Sequence, residues 1–285
     1  TSLGRAHVGY LGHPGAVRDA KLEIIEGLAP DGTLVLPQEP PDLYAAARRL
    51  WRGEIVRFGA GAEADVALEE PPQFFPDGTR LRIRGLEEPL AVRILGRGAV
   101  SSVLAALAVC RALRLPWPPA AHGMAQVPPP PGRLEPVRAG GVTILLDTYN
   151  ASPESSLANI ELLLQLEGAR KRYLAFGEMG ELGGYSRTCH EEVGRAAARA
   201  DGAFFLGEET KWARGEVERL GGASRRYTDH AALARDLART VAHGDLVLIK
   251  GSRRSGMEQV FDLLRARLEE GPPVESQDDG PRGAS

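Results

Sequence analysis

The polar residues with the clearest chemical potential follow a short apolar run at residues 143–146. Runs of this length and composition are typical of a buried strand in a parallel sheet. Asp147, Tyr149 and Asn150 come directly after the run, and ligands of open α/β sheets bind at the carboxyl ends of the strands. Asp147 and Asn150 are therefore candidates for ligand contacts. The alternative is that both only satisfy backbone groups of a turn.

Two further segments follow predicted strands in the same way. Residues 250–256 carry Lys250, Arg253 and Arg254 and open a predicted helix, whose N-terminal amides attract anions. An exposed basic turn would have the same composition. Residues 177–184 are rich in glycine, which allows the backbone to approach a ligand closely. A flexible connector explains those glycines equally well.

Lys21 is a candidate of another kind. Its side chain is predicted to lie near the middle of the apolar face of a helix over residues 15–28, a face formed by Val17, Ala20, Ile24, Ile25 and Leu28. Burial lowers the pKa of a lysine, and the neutral amine can react with carbon dioxide to give a carbamate. A carbamate is an anionic oxygen ligand suited to Mg²⁺. The alternative is a lysine that extends to solvent along the apolar surface.

The second half of the chain alternates strands and helices. Strands are predicted at residues 143–146, 172–176, 202–206 and 246–249, with helices that start near Pro153, Thr188, Thr210, His230 and Gly256. Such alternation predicts an α/β fold with a Rossmann-like parallel sheet. Ser152 is the predicted cap of the first of these helices, and Thr188 with Glu191 forms a predicted capping box for the second.

The first half mixes the same elements with an antiparallel insertion. The predicted helices cover residues 15–28, 43–51, 99–113 and 118–126, and the predicted strands cover residues 33–36, 55–58, 65–68, 80–83 and 90–95. Asp77-Gly78 is a plausible hairpin turn. The four consecutive prolines before Gly132 indicate a stiff linker. We therefore divide the chain into a domain at 1–132, a domain at 133–270 and a disordered tail at 271–285.

Composition excludes several classes of protein. The 285 residues carry a net charge of −3 and 43% hydrophobic content, which does not indicate a nucleic-acid partner. We find neither a membrane span nor a signal peptide. Cys110 and Cys189 suggest no disulfide framework and fit a reducing cytoplasm. Because the chain starts at Thr1 rather than Met, we expect either a fragment of a longer protein or a trimmed chain.

Several ordered motifs together resemble the Mur ligases over almost the whole chain, to about residue 268. The motifs are residues 2–7 with 20–23, residues 132–135, residues 147–153 with Ser155, residues 177–183 with His190 and Gly194, and residues 250–253 with Met257 and Glu258. The resemblance implies part of the central ATPase-type domain of that family, followed by its Rossmann-like C-terminal domain. Within the family, the chain is most similar to the branch that uses D-alanyl-D-alanine.

The resemblance also implies roles for two residues of the first half. His7 would help to hold Mg²⁺, and Lys21 would be the lysine that becomes carbamylated and contributes to catalysis. For the C-terminal domain it implies that Arg133 and Asp147 contact ATP, with Asp147 near the ribose, and that Asn150 lies close to the nucleotide.

Two residues near the C-terminus have implied roles in substrate binding. Lys250 and Arg253 would lie near the incoming substrate or the domain interface. The implied reaction is ATP-dependent amide formation through an acyl phosphate, between a UDP-linked muramoyl peptide and D-alanyl-D-alanine. It serves peptidoglycan precursor synthesis in the cytoplasm.

The sequence departs from the family pattern in two places. No glycine-rich phosphate loop ending in Gly-Lys-Thr or Gly-Lys-Ser is present, and neither is the domain for the uridine nucleotide. We expect an N-terminal part or a partner chain to supply them, and we expect the isolated chain to bind ATP poorly or not at all. Gly98 or Ala99, together with Ser102, replaces polar residues that the family uses near the nucleotide. Two alternatives therefore stay open: a binding or regulatory subunit without catalysis, and a ligase of the folylpolyglutamate or cyanophycin type.

Overall fold

The computed structural model describes residues 8–11 and 13–270, so His7 and the tail at 271–285 lie outside it. The helices are α1 (Val8–Leu11), α2 (Pro14–Leu22), α3 (Pro41–Leu50), α4 (Gly96–Ala112), α5 (Trp117–Ala125), α6 (Pro153–Gln165), α7 (Ser186–Ala197), α8 (Lys211–Arg219), α9 (His230–Thr240) and α10 (Met257–Glu270). The strands are β1 (Thr33–Pro37), β2 (Glu54–Gly59), β3 (Val66–Ala67), β4 (Gln73–Phe75), β5 (Gly78–Leu81), β6 (Leu90–Val92), β7 (Glu135–Ala139), β8 (Val142–Asp147), β9 (Arg172–Gly177), β10 (Gly202–Leu206), β11 (Ser224–Tyr227) and β12 (Leu246–Lys250).

Two small sheets form the first half of the described chain. Strands β1, β2 and β3 are parallel neighbours, and β4, β5 and β6 form an antiparallel meander. Both sheets bury apolar side chains against α4 in one core. The predicted α/β fold with an antiparallel insertion is confirmed. The hairpin is also confirmed, but its turn is Pro76-Asp77, because Phe75 pairs with Gly78 across the two strands.

The prediction of a single helix at residues 15–28 is wrong in its second half. Helix α2 ends at Leu22, and the chain continues to Gly27 as a 3₁₀ turn. A 3₁₀ turn has three residues per turn instead of 3.6, so later side chains rotate away from the face that helical spacing predicts. Ile24 is consequently 68% exposed. Lys21 is exposed as well, so the prediction of a lysine on a buried apolar face is wrong.

One six-stranded sheet forms the second half. Its order is β11-β10-β9-β12-β8-β7, with five parallel strands and an antiparallel edge strand, β7. Helices α6, α7 and α8 pack on one face, and α9 and α10 pack on the other. The predicted Rossmann-like layering is therefore confirmed, since parallel sheets bury both faces under helices. Strands β7 and β11 were not predicted.

Two helix caps were predicted in this half, and one of the two predictions is confirmed. Ser152 caps α6 as predicted, in a capping box with Ser155. The predicted capping box of Thr188 and Glu191 is wrong, because α7 already begins at Ser186 without a side-chain cap. Glu191 instead accepts a hydrogen bond from Arg187 one helical turn earlier, at 2.8 Å.

The two halves meet through a few apolar side chains. Phe74 of β4 packs against the core of the first half and also against the α6 side of the large sheet. Leu95, which precedes α4, is buried in the same cluster as Leu134. The domain boundary at residue 132 remains a prediction. None of the helices in the described ranges has the length and hydrophobicity of a transmembrane segment.

Candidate functional site

The candidate site lies where β8 and β12 end. The two strands are adjacent and parallel, and Lys250 is the register partner of Asp147. Both residues are therefore the last residues of neighbouring strands. The structure brings together two side chains that the sequence had placed in separate segments.

Lys250 is almost fully buried, with 1% of its surface exposed. Its Nζ donates a hydrogen bond to Oδ2 of Asp147 at 2.5 Å and another to the backbone oxygen of Asn150 at 2.9 Å. Burial lowers the pKa of Lys250, and the Asp147 carboxylate opposes part of that effect. A buried cation is tolerated only with such partners, because its desolvation is otherwise uncompensated.

The Asp147 carboxylate is held by three groups. Besides Lys250, Oδ2 accepts a hydrogen bond from Nδ2 of Asn159 at 2.6 Å, and Oδ1 accepts one from the backbone N–H of Leu134 at 3.3 Å. Asp147 is 7% exposed. Two of these three hydrogen bonds are accepted by Oδ2, so Oδ1 is the oxygen that keeps more capacity to accept a hydrogen bond from a ligand. Asn159 was missed from the sequence, where the only signal was a polar residue on the apolar side of a helix.

Arg133 precedes Leu134 in the loop that is bonded to Asp147, and its side chain is exposed to solvent. Its guanidinium group stacks 4.1 Å from the centre of the Tyr149 ring. The backbone N–H of Tyr149 donates to the oxygen of Gly132 at 3.1 Å, so the two loops are joined directly. Leu134 has a φ of 51°, an uncommon conformation for a non-glycine residue, which the surrounding contacts hold in place. The result is an accessible cation fixed at the sheet edge, suited to an anionic ligand.

Asn150 is also exposed, at the far end of the same turn. Its Oδ1 accepts a hydrogen bond from the backbone N–H of Ala151 at 2.8 Å. Its side-chain amide group therefore keeps a donor for a ligand, while its backbone oxygen is bound by Lys250. Arg133, Asp147 and Asn150, the three residues expected to contact a nucleotide, thus lie on two connected loops.

The glycine-rich segment at 177–184 lies beside this site. The backbone oxygen of Glu178 accepts a hydrogen bond from Ser252 at 3.0 Å, and its Oε1 accepts one from the backbone N–H of Glu209 at 2.8 Å. Glu178 therefore links the loops that follow β12 and β10. His190 secures the same segment from α7, because its Nε2 accepts a hydrogen bond from Met179 at 3.2 Å.

Arg253 and Arg254 occupy the 3₁₀ turn that follows β12, and both are exposed. Neither side chain has a hydrogen-bond or ion-pair partner within residues 8–11 and 13–270. Lys250, by contrast, is directed inward, so the structure separates two residues to which the sequence assigned one role. The substrate-binding roles of Lys250 and Arg253 remain predictions.

The other predicted residues contribute less to this edge. Lys21 lines a cavity of about 470 Å³ beside β1, together with Leu34 and Val109. None of the contacts of Asp147 described above involves Lys21. The Ser102 hydroxyl donates to the backbone oxygen of Gly98 at 2.9 Å, one turn earlier in α4. Across the part of the chain that is described, no group of three or more His, Cys, Asp or Glu side chains could hold a metal ion.

Comparison with known protein families agrees with this architecture. Residues 1–110 match the Mur ligase middle domain, and residues 132–253 match the glutamate ligase domain of the Mur ligases. The two matches cover the two sheet systems described above.

Individual relatives extend over most of the chain. The UDP-N-acetylmuramoyl-tripeptide–D-alanyl-D-alanine ligase of Bacillus subtilis is 32% identical over 278 residues, which are 94% of this chain and 59% of the relative. The crystal structure of the MurF ligase from Thermotoga maritima in complex with ADP superposes with a TM-score of 0.81 at 28% identity, covering 94% of this chain and 61% of that one. MurF from Acinetobacter baumannii gives a TM-score of 0.81 at 27% identity, covering 93% and 58%. The chain thus spans about three fifths of the length of these relatives, and it belongs to the Mur ligase family.

Proposed function

We propose that this chain is part of an ATP-dependent ligase that joins D-alanyl-D-alanine to a UDP-N-acetylmuramoyl tripeptide. The observation that carries the proposal is the paired end of β8 and β12, where Arg133, Asp147 and Asn150 are held on two connected loops. The family membership and the ligase name of the Bacillus subtilis relative support the choice of reaction.

In this proposal the exposed face of the two loops binds the nucleotide. Arg133 supplies a positive charge that can neutralise phosphate oxygens, and a guanidinium group is well suited to that task. The Oδ1 side of Asp147 accepts from a ribose hydroxyl, and the free amide donor of Asn150 contacts the same nucleotide. These residues orient ATP and offset its charge.

The chemistry in the proposed reaction belongs to the substrates. The tripeptide carboxylate attacks the γ-phosphorus, ADP leaves, and the resulting acyl phosphate is displaced by the dipeptide amine, so that inorganic phosphate is released. An acyl phosphate is sensitive to hydrolysis, so closure of the C-terminal half over the first half would protect it by excluding water. The prolines before Gly132 are the proposed hinge.

Magnesium belongs to the proposal because the bound ion would offset charge on the phosphate oxygens. The described residues do not form a site for it by themselves. A carbamylated Lys21 would supply anionic oxygen; because the side chain is exposed, this proposed role rests on the family resemblance and not on burial. His7, the second proposed ligand, lies outside the described residues.

The acceptor is proposed to approach the exposed turn that follows β12. Arg253 has no acidic partner among the described residues, so its charge is available for the carboxylate of a dipeptide. The glycine-rich segment at 177–184 forms the neighbouring wall, through the hydrogen bond between Ser252 and Glu178.

One observation favours a second candidate, a binding or regulatory subunit without catalysis. At the start of α4, Gly98 has no side chain and the Ser102 hydroxyl is already bonded within the helix. Two expected polar contacts to the nucleotide are thus weakened or lost. Such a subunit would still bind a ligand at the end of β8 and β12 but would not turn over ATP.

The two candidates are separated by measuring ATP turnover. We expect a preparation that contains every part of the proposed ligase to release ADP only when the UDP-linked tripeptide and D-alanyl-D-alanine are both present, because each forms one side of the new amide bond. Mass spectrometry should find one condensed product per ADP. Absence of turnover with both substrates would exclude the ligase and leave the subunit. Turnover with glutamate in place of the dipeptide would instead indicate a ligase of the folylpolyglutamate type.

A further inference from the structure

We propose that Lys250 is a positioning residue for the nucleotide site: it fixes both ends of the 147–150 turn and does not touch the acceptor. The inference rests on the proposed function for its link to ATP, and on geometry alone for its link to the turn. It departs from the sequence-based expectation that Lys250 lies near the incoming substrate.

Both polar contacts of the Lys250 ammonium group fall within one turn. Nζ binds the Asp147 side chain at the first residue of the turn and the Asn150 backbone oxygen at the last. One cation thus closes the turn across its ends. Register supports the arrangement, because Lys250 and Asp147 are paired residues of adjacent parallel strands and their side chains leave the sheet on the same side.

Burial leaves no path from Nζ to a substrate. The side chain of Lys250 is 1% exposed, and the side chain of Asp147, which accepts its hydrogen bond, is 10% exposed. A dipeptide could reach the ammonium group only after the turn had opened and the ion pair had broken. Arg253, three residues later, is exposed and requires no such opening.

The turn that Lys250 closes also positions the solvent-facing groups of the site. Asp147 receives the Leu134 amide, which fixes the loop that carries Arg133, and the Tyr149 ring in the closed turn supports the guanidinium group of Arg133. Removal of the Lys250 charge would therefore release Asp147, Asn150 and Arg133 together. Preorganised binding groups lose affinity when their supporting contacts are removed.

Kinetics distinguishes positioning from substrate contact. In an active preparation, Lys250→Met should raise the KM for ATP by about tenfold or more and leave the KM for D-alanyl-D-alanine within about twofold of the wild type. Lys171→Met is the matched control, because Lys171 is an exposed lysine just before β9, at the opposite end of the sheet. An increase in the KM for the dipeptide with an unchanged KM for ATP would overturn the proposal.

A second measurement does not depend on activity. In the 285-residue chain, Lys250→Met should speed amide hydrogen exchange about tenfold at Tyr149 and Leu134, whose N–H groups tie the two loops, and leave Glu209 unchanged. If the wild type shows no ATP turnover, the proposed function fails, and exchange alone decides whether Lys250 fixes the turn. Unchanged exchange at both amides refutes the positioning role, and so does faster exchange with an unaltered KM for ATP.

If Lys250→Met alone does not fold, a double variant that lacks both buried charges provides the test. Lys250→Met combined with Asp147→Asn removes both buried charges, so neither is left unpaired. If Lys250 acts by fixing the turn, the folded double variant should still show a KM for ATP raised by about tenfold, with the KM for D-alanyl-D-alanine within about twofold of the wild type. A raised KM for the dipeptide, or an unaltered KM for ATP, in the folded double variant would overturn the proposal.

Discussion

Nε2 of His190 lies 3.2 Å from the backbone nitrogen of Met179, which donates a hydrogen bond to it, and the ring is completely buried. Nδ1 lies 2.8 Å from the backbone oxygen of Ser186. The neutral imidazole satisfies both contacts, with Nδ1–H as donor and Nε2 as acceptor. Protonation of Nε2 would place its N–H against the N–H of Met179 and break the hydrogen bond to the glycine-rich segment at 177–184.

We predict that the stability of the protein falls in mild acid because of His190. Burial lowers the pKa of His190 in the folded state, an effect opposed in part by its hydrogen bond with the Ser186 backbone oxygen and by the carboxylates of Glu209 and Glu178. As the pH falls, the unfolded chain therefore binds a proton at this histidine before the folded protein does. The contribution of neutral His190 to stability is complete above about pH 6.5 and is lost as the pH falls below that value. Urea unfolding between about pH 7.5 and pH 5.5 should show the decrease.

Two histidine variants identify the group responsible. His190→Gln keeps an acceptor for Met179 but does not titrate, so it should flatten this pH dependence. His122→Gln should leave the slope unchanged, because His122 is exposed in the folded state as well. An equal slope in the wild type and His190→Gln would show that other groups cause the acid sensitivity.

Phe74 is predicted to couple the two halves of the molecule. Its ring packs against both cores, so Phe74→Ala should reduce the free energy of unfolding by about 2 kcal/mol, less than for a fully buried ring. The next residue, Phe75, is 40% exposed and provides the control, since Phe75→Ala should cost less than about 1 kcal/mol. Denaturation followed by tryptophan fluorescence measures both. Equal losses in the two variants would contradict the coupling role.

Two helical glycines are predicted to respond to alanine with opposite sign. Gly215 in α8 has open space where a Cβ would be, so Gly215→Ala should stabilise the protein by about 0.5–1 kcal/mol through helix propensity. A Cβ at Gly194 in α7 would collide with the backbone of Ala213, so Gly194→Ala should destabilise it by more than about 1 kcal/mol. Thermal unfolding gives both signs. Tolerance of Gly194→Ala would mean that α7 and α8 pack less closely than described.

Lys21 is predicted to be essential for turnover in the proposed ligase. If its carbamate supplies a ligand for Mg²⁺, Lys21→Ala should abolish ADP release when both substrates are present, while Lys171→Ala should retain it. Both lysines are exposed, so neither substitution should affect folding. Mass spectrometry of the intact chain can look for the carbon dioxide adduct directly. Normal turnover by Lys21→Ala at saturating Mg²⁺ would refute the carbamate hypothesis.

The sequence predicted the helices and strands that are determined by local residue patterns. Continuous apolar runs identified β8 and β12, and Ser152 identified the start of α6. Strand β11 was missed because its residues 224–227 are mainly polar and their pairing depends on β10. The predicted end of the helix at residue 28 failed because apolar spacing continues past Leu22, where the backbone tightens.

The arrangement of the candidate site was less predictable than its residues. Asp147 and Lys250 were both identified from the strand ends, but their ion pair joins positions 103 residues apart. It depends on the order of the strands, which apolar periodicity does not contain. The only sequence signal for Asn159 was a polar residue on the apolar side of a helix, and its contact with Asp147 follows from the packing of α6.

The position of β12 also has a consequence for biosynthesis. This strand comes last among the six of its sheet, yet it lies in the centre, between β8 and β9. A nascent chain that has emerged from the ribosome only as far as α9 has both neighbours of that strand but a gap between them. Neither neighbour can complete its backbone pairing, and the carboxylate of Asp147 has no counter-ion. Translation of almost the whole domain must therefore precede formation of the binding edge, so prematurely terminated chains would lack it.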